Sequence, residues 1–180
     1  MQLKHLLLTI FVMVIFGSVY PLGKIGTNNI PPILFASLRV FMIFICILPF
    51  FNFKLPSKKL LLPLFAFSIT MGIGVYLTLY LALENSSLVA PIIIGTQLTV
   101  PFGLILSYIF LNEKISFRKC VLIVSSFIGI LIVAYNSSFV DELKGLFIIS
   151  LMAFFYALSN ILSRFIKDID IVTQIAWHSF

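Results

Sequence analysis

Six continuous apolar stretches, each long enough to cross a bilayer as a helix, run through the chain at residues 6–22, 32–53, 60–82, 88–112, 120–136 and 145–163. At about 1.5 Å per residue such stretches reach roughly 25–38 Å, against a hydrocarbon core of about 30 Å. The backbone finds no water to bond in that core, so only helices and closed barrels can span it. One segment does alternate like a barrel strand: Ser68, Thr70, Gly72, Gly74, Tyr76, Thr78 and Tyr80 interleave with apolar residues. The neighbouring runs are unbroken and about twice the length of a barrel strand. The chain therefore reads as an all-α membrane protein, a polytopic helix bundle.

Composition agrees. Hydrophobic residues make up 61% of the 180 and charged residues 10%, where soluble domains carry about 25%. The net charge of +6 would point to nucleic acid in a soluble chain. Here the basic residues lie between the spans, so orientation in the bilayer accounts for them and no nucleic-acid partner is expected. With the N-terminus placed in the cytoplasm, Lys4, Lys54, Lys58, Lys59, Lys114, Arg118, Lys119, Arg164 and Lys167 fall inside and only Lys24 and Lys144 outside. That asymmetry predicts a multi-pass protein of the cell (inner) membrane with a cytoplasmic N-terminus. No Ala-x-Ala-like cleavage site follows the first span, which reads as a retained helix.

Cys46 and Cys120 read as isolated small fillers. Asn85-Ser86-Ser87 and Asn136-Ser137-Ser138 match the short glycosylation pattern, one that chance often supplies. His5 and His178 stand apart from any acid or thiol cluster, so neither a catalytic residue, a metal site, a cofactor nor an enzyme is expected.

Polar residues inside the spans are few and patterned. On a helix, positions 68, 72, 76 and 80 share one face and 70, 74 and 78 another. The third span is thus expected to touch protein on more than one side, with Gly72 and Gly74 permitting close approach. In the fourth span Thr96, Thr99, Gly103 and Ser107 form a narrow stripe. Pro101 cannot donate a hydrogen bond, which predicts a kink and a freed Gln97 carbonyl, either packed on protein or facing a watery cavity. The sixth span carries Ser150, Ala153, Ala157 and Asn160 above Arg164, and the first carries Gly17, Tyr20, Pro21 and Lys24. Snorkelling to the interface is the expectation for Lys24. Arg39 is the one ionised residue inside a span, and its cost calls for a partner or water. A structural anchor on helix-end carbonyls is favoured over substrate contact. Glu84 and Glu113 read as interfacial charges.

A shift of 140 residues aligns Phe16 with Tyr156, Lys24 with Arg164 and Ala36 with Ala176. A unit of five helices places its copy upside down, the inverted-repeat plan of secondary transporters. Residues 1–136 then form one repeat and 137–180 the start of a second, with an incomplete seventh span from residue 171 that reads as a shortened end.

The run Phe16-Gly17-Ser18-Val19-Tyr20-Pro21-Leu22-Gly23-Lys24, then Pro31-Pro32 and Leu38-Arg39, resembles the first two helices of EamA-type transporters of the drug/metabolite transporter superfamily. Leu111-Asn112-Glu113-Lys114 resembles the acidic turn after the fourth helix. Phe127-Ile128-Gly129 and Phe155-Tyr156-Ala157-Leu158-Ser159-Asn160 resemble the fifth and sixth helices. The resemblance runs along the whole chain and implies a central cavity lined by Ser18, Tyr20, Tyr76, Thr96, Gln97, Thr99 and Asn160. It implies secondary transport, with export of amino acids or related metabolites by alternating access and a small-molecule solute and the lipid bilayer as partners. A second half-transporter or a second copy of the chain would complete the path. The alternatives are a small dimeric multidrug exporter, whose embedded Glu residues 6–22 lack, and a non-transporting membrane protein.

Overall fold

In the computed structural model, residues 3–51, 56–113, 116–134 and 139–179 are described. Lys54, Lys114 and the Asn136-Ser137-Ser138 sequence lie outside them. The described chain is helical: α1 (Leu3–Asn29), α2 (Pro32–Ile47) with a short 3-10 turn (Leu48–Phe50), α3 (Lys58–Ser68), a π-helical stretch (Ile69–Leu77), α4 (Thr78–Glu84), α5 (Val89–Thr96), α6 (Thr99–Leu111), α7 (Phe117–Ala134), α8 (Phe139–Phe165) and α9 (Ile171–Ser179). Five helical stretches are long and apolar enough to cross a membrane: Lys4–Asn29, Pro32–Phe50, Lys58–Glu84, Val89–Leu111 and Glu142–Phe165. The remaining predicted span, 120–136, falls on α7, with residues 135 and 136 outside the described set. The chain is an all-α polytopic membrane protein.

α8 is the hub. It packs against α3, the π-helical stretch, α4, α5 and α6, and 39% of its apolar window is buried, against 6% for α1 and for α2. The main core joins Tyr76, Tyr80 and Leu83 of the third span to Ile92, Ile149 and Met152. Large apolar side chains elsewhere point outward, among them Phe11, Val14 and Ile73, the surface a helix needs where lipid replaces water.

Local sequence explains the element ends. Pro32 opens α2, where a missing N–H costs nothing. Asn112 closes α6 in the left-handed region at φ 52°, a conformation that asparagine tolerates better than most residues. That turn sets Glu113 against Arg164 at the far end of α8, in an ion pair of 2.6 Å.

The third span is not uniformly α-helical. Its middle is wound in the wider i→i+5 pattern, which releases carbonyls where α and π ladders meet. Threonine hydroxyls take them up. Thr70 Oγ donates to the carbonyls of Ala66 and Phe67 at 2.9 and 3.0 Å, and Thr78 Oγ donates to the Gly74 carbonyl. Protein surrounds this stretch on two sides: a Cβ at Gly74 would lie 2.7 Å from the Phe155 ring, and one at Gly72 would lie 2.7 Å from the His178 carbonyl oxygen.

Candidate solute cavity

A cavity of about 380 Å³ lies among α1, α2, α8 and the third and fourth spans. α1 contributes Phe16, Val19 and Tyr20, and α2 contributes Arg39. The third span adds Met71, Val75, Tyr76 and Leu79, the fourth Thr96, Gln97, Thr99 and Val100, and α8 Met152 and Tyr156. The size is in the range of small-molecule sites, and the lining is mostly apolar with few polar groups.

Of the residues expected here, Tyr20, Tyr76, Thr96, Gln97 and Thr99 border the cavity together. Ser18 and Asn160 do not. Ser18 donates to the Ile15 carbonyl at 2.7 Å, on its own helix. Asn160 is exposed, and its neighbour Ser159 is the residue turned inward, 3.6 Å from the Met71 sulfur. One position along a helix rotates a side chain by about 100°, enough to exchange the two.

The fourth span is built differently from the expected kink. The α pattern is interrupted at Gln97 and Leu98, and Pro101 is the third residue of the new helix α6, where its missing N–H removes no intrahelical bond. The Gln97 carbonyl is not free, because a tightened i→i+3 turn gives it the Val100 N–H at 3.0 Å. Thr96 Oγ donates to the Ile93 carbonyl at 2.6 Å and Thr99 Oγ to the Thr96 carbonyl at 2.7 Å. Their oxygens therefore keep only acceptor capacity.

Arg39 is half-buried, and its partners are tyrosines of the third span rather than helix-end carbonyls. Its Nη1 donates to the Tyr80 phenol oxygen at 2.7 Å. Its guanidinium carbon lies 4.6 Å from the Tyr76 ring centroid and 5.8 Å from that of Tyr80, within cation–π range. The carbonyl anchor belongs to Lys24. Instead of snorkelling, Lys24 Nζ donates to the Leu83 carbonyl at 2.8 Å and to the Ser86 carbonyl, placing a cation at the C-terminal end of α4.

Beside it sits a buried carboxylate with no counterpart in the sequence reading. Glu142, 2% exposed, accepts from the Ser86 and Ser87 hydroxyls, from the Ser87 N–H at 2.9 Å and from the Leu88 N–H at 3.1 Å. It thereby caps the start of α5 from another helix. His178 was also missed: it is buried against Phe67 and Tyr76, and its Nδ1 has no hydrogen-bond partner among the described residues. Nothing in the local sequence signals either contact, since both join elements distant in the chain. Among the described residues no cluster of His, Cys, Asp or Glu could hold a metal ion.

Comparison with known proteins names the class of this bundle. Residues 3–135 match the EamA-like transporter family, and the chain belongs to that family. It is similar to the uncharacterized transporter YoaV of Bacillus subtilis (strain 168), at 28% identity over 188 residues, covering 98% of this chain and 63% of that protein. The chain thus spans less than two thirds of the length of the curated relative it matches. No solved structure matches.

Proposed function

We propose that the protein is a secondary transporter that exports small polar or amphipathic metabolites, such as amino acids or their derivatives, by alternating access. The observation that carries this reading is the cavity of about 380 Å³ bordered by α1, α2, α8 and the third and fourth spans. Few polar groups reach it, and those that do can hold and release a solute by hydrogen bonding rather than trap it. Membership of a transporter family and the similarity to a protein named a transporter support it.

In this reading residues 1–136 are one repeat and residues 137–180 begin an inverted second. The N-terminus faces the cytoplasm across the inner membrane. A second half-transporter or a second copy supplies the remaining wall, and one repeat rocks against the other around the cavity. The test is counterflow in liposomes reconstituted with the purified chain and preloaded with an unlabelled amino-acid mixture. Saturable accumulation of labelled amino acid above that of protein-free liposomes is expected. Accumulation equal to protein-free liposomes for every amino acid would reject amino-acid transport by the chain alone or as a pair of copies.

A further inference from the structure

The Arg39 guanidinium presents five N–H donors. One is donated to Tyr80, and two tyrosine rings flank its carbon. Glu84, Glu113, Glu142, Asp168 and Asp170 are the acidic residues with described side chains, and none of them borders the cavity. The ion pair among the described residues, Arg164 with Glu113, is elsewhere. A full positive charge thus stands half-buried at a membrane cavity without an anion among the described residues, an arrangement that is costly until a counter-charge arrives. The contrast with Lys24, whose ammonium is held on two backbone carbonyls, shows that this fold can quench a cation when it is structural.

The planar guanidinium fork matches a carboxylate in bidentate geometry. Around it the cavity offers Phe16, Tyr20, Tyr156 and Met152, surfaces for an aromatic or branched apolar body. In the same lining the Gln97 amide has no hydrogen-bond partner among the described residues, and the Thr96 and Thr99 hydroxyls, already donating to backbone carbonyls, keep acceptor capacity. We propose that Arg39 is the anion anchor of a binding site for organic monocarboxylates with an apolar body, the solute's carboxylate supplying the counter-charge this cavity lacks. An ammonium group meets only neutral acceptors there, so a net anion is preferred to a zwitterion and a zwitterion to a cation. This deepens, and rests on, the reading of the cavity as a solute site.

The test is isothermal titration of the full chain in lipid nanodiscs with 3-phenylpropionate, its neutral amide, 3-phenylpropylamine and inorganic phosphate. The acid should bind about ten- to a hundredfold tighter than the amide, the range of a charge-assisted hydrogen-bonded pair. The amine and phosphate should bind more weakly than the amide. Arg39→Gln should abolish the preference for acid over amide, while Arg39→Lys should keep part of it. Equal affinity of acid and amide in the unaltered protein would overturn the anion site and leave the solute cavity standing, and this arm requires no variant to fold. Loss of acid and amide together in Arg39→Gln would make Arg39 a structural support. Phosphate binding as tight as the acid would replace the organic site by a general anion site. Absence of binding by all four probes would reject the solute cavity itself.

Discussion

Two polar regions lie near one another in this bundle and solve opposite problems. At the junction of α1, α4, α5 and α8, Lys24 is held on the Leu83 and Ser86 carbonyls, and Glu142 gathers two hydroxyls and two N–H groups from residues 86–88. In the cavity, Arg39 has one phenol and two aromatic faces, and the Gln97 amide has no partner among the described residues. A saturated charge is a fastener, because moving it breaks several bonds at once. A partly satisfied one retains the capacity to take a ligand. The difference separates a rigid clamp from a site.

The comparison breaks most visibly at Glu142. Glu142→Ala leaves the Ser87 hydroxyl and the Ser87 and Leu88 N–H groups without this acceptor, while the Ser86 hydroxyl keeps the Leu88 carbonyl at 2.6 Å, and losing a buried, hydrogen-bonded carboxylate should cost about 3 kcal/mol. Equilibrium unfolding in mixed micelles measures this, and a loss near zero would mean that water replaces the carboxylate without penalty. The paired cations sharpen the contrast. Lys24→Gln should destabilise by about 2 kcal/mol through two charge-assisted bonds, and Arg39→Gln by only about 1 kcal/mol. Equal losses in the same unfolding experiment would erase the distinction between clamp and site. Packing supplies an effect of similar size. Gly74→Ala must displace the Phe155 ring and should cost about 1–2 kcal/mol, whereas Gly103→Ala meets nothing within 4 Å and should be neutral or stabilising.

The bundle was legible because apolar length is a direct record of bilayer thickness, and a run such as 60–82 announces itself without any partner. Hydropathy does not record which carbonyl an amide reaches, so the π-helical stretch at Ile69–Leu77 and the tightened turn at Gln97 were invisible. Thr96, Gln97 and Thr99 stood out as polar exceptions on an apolar helix, and Tyr20 and Tyr76 entered through the family resemblance. Ser18 and Asn160, implied by the same resemblance, fell elsewhere, since a polar residue can bond its own helix and a one-residue shift turns a face away. Lys24, Glu142 and His178 took their meaning from neighbours more than fifty residues away, which no local pattern contains.

The account depends most on polar edges facing a hydrated solute route while apolar faces meet lipid. Cysteine accessibility tests this directly, after Cys46 and Cys120, both exposed, are replaced by serine. Thr99→Cys borders the cavity and Val14→Cys lies on the outward face of α1, 66% exposed. In native membrane vesicles a charged, water-soluble thiol reagent should modify the cysteine at 99 and spare the one at 14. Modification at 14 with protection at 99 would contradict it.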